Sequence, residues 1–85
     1  MGSNEFLQLG LLDRVHALYR HGSFVIAIRY YGYKVNLYLM KNYYVEVFYN
    51  HKDDRIEKVD LLDFNHSRIK FYTDQIAFPD DITLT

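Results

Sequence analysis

The chain has 85 residues, 49% apolar and 25% charged, with a formal net charge of −1 and no cysteine. This length suits one small domain that buries little more than ~60% of the surface its unfolded form exposes, so pairing with another molecule would add stability. Lack of cysteine excludes a disulfide framework, a thiolate metal site and a cysteine nucleophile, and the near-neutral charge excludes a global field that would gather nucleic acid or an anionic membrane.

No apolar run approaches the roughly 18 residues of a membrane span, and the opening MGSNEFLQL lacks the basic flank of a signal peptide. The expected location is cytoplasmic, with no membrane partner. Met1-Gly2-Ser3 reads as a cloning remnant and 79–85 as a loose tail after Pro79, while no repeat or linker divides the single domain expected over 1–85.

From Asn4 to His21 the spacing is helical. At ~100° per residue, Leu7, Leu11, Leu12, Val15, Leu18 and Tyr19 fall in one stripe, opposite Asp13, His16 and Arg20. Ser3 or Asn4 serves as N-cap, and Gly22 after Arg20-His21 supplies a left-handed helix end. Gly10 sits inside this span at a cost of up to ~1 kcal/mol relative to alanine.

The tyrosine-rich block from Ser23 to Asn50 alternates at strand period and folds back on itself twice. A turn at Gly32-Tyr33 opposes Tyr30 to Val35, Ile28 to Leu37 and Ile26 to Leu39. A loop at Met40-Lys41-Asn42 then opposes Leu39 to Tyr43, Leu37 to Val45 and Val35 to Val47. This register collects Phe24, Ile26, Ile28, Tyr30, Val35, Leu37, Leu39, Tyr43, Val45 and Val47 beneath the helix. The opposite face receives Arg29, Tyr31, Lys34, Asn36, Tyr38, Met40, Tyr44, Glu46 and Phe48.

Arg55 to Leu61 reads as a fourth strand of open register, because Ile56, Val59 and Leu61 do not share a parity. Beyond it, Leu62, Ile69, Tyr72 and Ile76 project to one side of a helix running from about His66 to Gln75, with Asn65 as its cap. Alternation of Ile69 and Phe71 with Arg68, Lys70 and Tyr72 offers a strand instead. The fold class is α+β: an N-terminal amphipathic helix packed on a four-stranded antiparallel meander, with a short C-terminal helix.

Catalytic and metal motifs are weak. His16, His21, His51 and His66 lack zinc-site spacing, and Asp13 with His16 supplies two ligands at most, as a solvated helix face also would. Asp53-Asp54, Asp60, Asp63 and Asp80-Asp81 fall in turns or strand ends, where Asp accepts local backbone bonds. Ser3, Ser23 and Ser67 lack a nucleophile context, and the glycines form no phosphate-cradling loop. These patterns favour a non-enzymatic protein without catalytic residues, metal or cofactor.

The candidate interaction face is Arg29, Tyr31, Lys34, Tyr38, Met40, Tyr44 and Phe48. Tyrosine packs well across strands on its own account, but tyrosine and methionine are also enriched at protein interfaces. The expected function is therefore an interaction module that forms a homodimer, or binds another protein, through this face or a strand edge. Single-stranded RNA stacking on the same rings is the alternative, opposed by Glu46 at its centre and the acidic balance. A small toxin-like ribonuclease is a further one, by analogy with ribosome-targeting toxins of the RelE type, which also join helices to an antiparallel sheet but carry a basic surface.

Overall fold

The computed structural model describes residues 1–76 and 78; the expected tail over 79–85 lies outside the described residues. The N-terminal stripe forms two helices where one was expected, α1 (Ser3–Leu7) and α2 (Leu11–His21). Gly10 falls at the break as the extended N-cap of α2, which avoids the penalty glycine carries inside a helix. The bend turns Phe6 into the interior, and the Arg14 guanidinium holds it by donating to the carbonyls of Leu7, Leu9 and Val59. One consequence is a narrower buried stripe. Val15, Ala17 and Leu18 are covered, while Leu7, Leu11, Leu12 and Tyr19 remain exposed.

At the end of α2, Gly22 is extended, not left-handed as expected. Close approach accounts for the glycine, because a Cβ there would lie 2.8 Å from the Leu18 carbonyl oxygen. The chain continues into β1 (Ser23–Tyr30), β2 (Tyr33–Leu39), β3 (Tyr44–Asn50) and β4 (Arg55–Leu61), an antiparallel meander in the order β1-β2-β3-β4. After β4 comes α3 (Ile69–Thr73), inside the span expected to be helical. Its N-cap is Arg68, since Asn65 is taken into a turn where its N–H donates to Asp63 Oδ1 at 2.9 Å. The α+β architecture is thus the expected one: N-terminal helices, a four-stranded antiparallel sheet and a short C-terminal helix.

Both expected turns shift. The first occupies Tyr31-Gly32, opposing Tyr30 to Tyr33 and Ile28 to Val35. The positive φ falls on Tyr31, at 55°, and not on the glycine. A displacement of two residues preserves parity, so Ile26, Ile28, Tyr30, Val35, Leu37 and Leu39 still share a side.

The second shift is by one residue and reverses everything beyond it. The loop spans Met40 to Tyr43, closed by the Met40 N–H on the Tyr43 carbonyl at 2.9 Å, and it opposes Leu39 to Tyr44, Leu37 to Glu46 and Val35 to Phe48. Val45 and Val47 therefore oppose Tyr38 and Asn36, on the other side of the sheet from Leu37.

Two bulges complete the register. One at Val25 brings Phe24 opposite Tyr38, away from Ile26. Another at Glu57 places Ile56 on the same side as Val59 and Leu61, which resolves the mixed parity of β4.

The result is a sheet covered on both sides. Phe6, Val15, Ala17 and Leu18 pack on Met40, Val45, Val47 and Val59. On the reverse, Leu62, Phe64, Ile69, Tyr72, Ile76 and Phe78 cover Ile28, Val35, Leu37, Tyr44 and Phe48. The face expected beneath the helix lies in large part under the C-terminal segment. No described helix is long and apolar enough to cross a membrane.

Candidate interaction surface

The seven residues expected to form one surface are divided by the register of β3. Arg29, Lys34 and Tyr38 lie on the helix-side face, whereas Tyr44 and Phe48 are interior on the other, beneath the C-terminal segment. Met40 is buried against the helices, and Tyr31 stands in the first turn, 91% exposed. With Tyr44 in edge contact with Phe64 and Phe78, the expected stacking platform has no exposed ring pair at its centre.

A different aromatic surface takes its place. α2 packs toward β4 and leaves the β1–β2 half of its face more open, with Phe24, Arg29 and Lys34 exposed there among the described residues. Phe24, 58% exposed, meets Tyr38 edge-on with ring centroids 5.7 Å apart. Tyr38 in turn borders a groove with Tyr19, Val15, Leu18, Val47 and Ile56, and Tyr19 is 71% exposed. Partial burial raises the Tyr38 hydroxyl above its ordinary pKa, with the neighbouring Tyr19 adding to the shift. Leu12, two turns before Tyr19, extends the strip along α2. Beside it, Ala27, Ile28, Arg29, Lys34 and His51 line a shallow depression at the β1 border.

Sequence reasoning missed this patch because Phe24 changes sides at a bulge that nothing in SFVIAI announces. Tyr19 belongs to the stripe that helical spacing assigns to the interior. A marker was nonetheless present: Leu11, Leu12, Val15, Leu18 and Tyr19 make a stripe wider than one sheet contact needs.

A second feature lies inside. Glu46, 1% exposed, accepts from Arg68 Nε at 2.8 Å and Nη2 at 2.6 Å, and from the Tyr72 hydroxyl at 2.8 Å. The guanidinium also lies over the rings of Tyr30 and Phe48, at 5.3 and 5.1 Å. The Arg68 backbone N–H donates to His66 Nδ1 at 3.0 Å, which sets the turn entering α3. Burial, reinforced by the Glu46 charge, drives the Tyr72 hydroxyl far above its ordinary pKa. The hydrogen bond to Glu46 raises Arg68, against the opposing effect of burial. Both Glu46 oxygens are engaged, so the carboxylate clamps the C-terminal segment and is not free to act as a base.

Lys58, Asp60, Asp63 and His66 rim a cleft of about 240 Å³ above this clamp. Asp60 Oδ1 and Asp63 Oδ1 accept local backbone N–H groups, in keeping with the turn role expected for them. Asp13 and His16 border another shallow cavity with Arg20 and His21. Among the described residues, no three His, Asp or Glu side chains gather as a metal site. No family model, curated protein or solved structure matches this chain.

Proposed function

We propose that this chain is a non-enzymatic interaction module that self-associates, with the more open half of the helix-side face and the adjoining β1 border as its contact surface. The observation that carries the reading is the contiguous Tyr19–Tyr38–Phe24 patch, in which Tyr19 and Phe24 stand exposed on either side of the half-buried Tyr38. Aromatic side chains contribute large apolar areas at low entropic cost, which is why such patches mark interfaces. An isologous contact doubles that area by symmetry and adds burial that a chain of 85 residues lacks alone. Arg29 and Lys34, exposed and paired across β1 and β2, stand at the margin of the patch and fit a solvated rim. We take the setting to be cytoplasmic, as the cysteine-free composition allows.

The test is sedimentation of the wild type and of a Tyr19→Lys plus Phe24→Lys variant, with far-UV circular dichroism as the folding control. The reading expects a wild-type dimer and a folded, monomeric variant. A monomeric wild type, or a dimer that ignores both lysines, overturns it.

A further inference from the structure

The two borders of the sheet are built differently. β4 is bulged at Glu57, carries Arg55, Glu57, Lys58 and Asp60, and has its Val59 carbonyl taken by Arg14. These are the devices that keep a strand edge from pairing with another chain. β1 has the opposite character: Ile26 to Tyr30 is unbulged, bears the single charge of Arg29, and has no pairing strand on its outer side among the described residues.

We infer that the β1 edge pairs antiparallel with β1 of a second copy about a two-fold axis, joining the two sheets into one. This inference rests on the self-association proposed above and names its geometry. Hydrogen-bond alternation, counted from the Tyr31-Gly32 turn, directs the N–H and C=O groups of Tyr30, Ile28 and Ile26 toward β2 and those of Ala27 and Arg29 outward. Two-fold pairing centred on Ile28 matches Ala27 with the partner's Arg29 and Ile26 with the partner's Tyr30. It uses the straight part of the strand and sets no two like charges directly opposite.

Centring on Arg29 would place two guanidiniums face to face, and centring on Ala27 would draw in the bulged Val25. Beyond the straight segment, the same register brings Phe24 and the partner's Tyr31 within one position of each other, so the two exposed aromatics of this hairpin come close across the seam. The protected β4 edge matters equally. Pairing β1 with a partner's β4 would run on as an open filament, whereas β1 with β1 closes at two.

Amide hydrogen exchange tests the wild type directly. Ala27 and Arg29 should exchange as unbonded amides in the dilute monomer and be protected at concentrations where the dimer forms. Ala27→Pro removes an N–H that pairs with nothing in the monomer, and proline is tolerated on edge strands, so this variant should sediment as a folded monomer. Ala27→Glu, opposite the partner's Arg29, should tighten the dimer and Ala27→Lys should weaken it, each by roughly two- to tenfold through two symmetry-related pairs. These charge variants decide the matter if the proline variant fails to fold.

Unprotected Ala27 and Arg29 amides in a demonstrated dimer, or a dimer indifferent to all three substitutions, overturn the edge pairing and leave self-association standing. A wild type that stays monomeric overturns both.

Discussion

The two faces of the sheet are sealed by different means. On the helix side the buried contacts are almost wholly apolar, Phe6, Val15 and Leu18 against Val45, Val47 and Val59. On the other side an apolar layer surrounds the Glu46–Arg68–Tyr72 cluster. Apolar contacts are indifferent to small displacements, so the helix side constrains volume more than alignment. The ionic cluster tolerates little displacement, because a buried charge without its partner is expensive. The helices therefore supply area, and the clamp assigns the C-terminal segment its place on the sheet.

The sharpest way to break this contrast is to remove half of the clamp. Glu46→Ala leaves Arg68 buried without a counter-charge and should cost about 3–5 kcal/mol in chemical denaturation, whereas in a Tyr72→Phe background, where no hydroxyl loses its acceptor, replacing both residues by Leu and Met should be near neutral in stability. A double variant as damaged as the single one would show that packing, not charge, fixes the segment. On the opposite face, Leu18→Ala should cost about 2–3 kcal/mol, near the low end for a buried leucine, because neighbouring apolar groups can close on the space. A loss matching that of Glu46→Ala would erase the distinction between the faces.

Tyr72→Phe sharpens the comparison, removing one bond to Glu46 at about 1.5–3 kcal/mol. It also changes the alkaline limb of stability. The folded pKa of Tyr72 lies far above the ordinary value of 10.0, so its contribution is complete below that pH and is lost progressively as pH rises from there toward the folded value. Wild type should lose this component with rising pH and the phenylalanine variant should not, as denaturation midpoints across pH 8–11 would show.

The smallest effect is expected at Glu57. Its carboxyl is held below its ordinary 4.5 by hydrogen bonds from Asn50 and Tyr33. The stabilisation is therefore present above that pH and lost as pH falls through the depressed value. Tyr33→Phe should reduce the acid dependence slightly and leave neutral stability almost unchanged. A large change at neutral pH would reveal a structural role for this surface bond.

Much of the fold was legible because its elements announce themselves locally. The helical stripe, the four strands and the short final helix each follow from periodicity and turn residues. What escaped was parity. In YVEVF, Tyr44 to Phe48 are all buried, so neither side of β3 is polar and alternation does not say which set faces the helices. Glu46 looked like a solvent marker, but its partner Arg68 lies 22 residues further along, beyond the reach of local pattern. Phe24 misled for a related reason, since a bulge changes sides without changing composition.

That separation of 22 residues also orders events during synthesis. Glu46 leaves the ribosome before Arg68 and Tyr72 do, and until they arrive the carboxylate keeps water on the surface that will later be dry. The meander can hydrogen-bond early, but its second layer must wait for the last part of the chain. A chain ending before residue 68 would therefore hold a sheet with one side still wet.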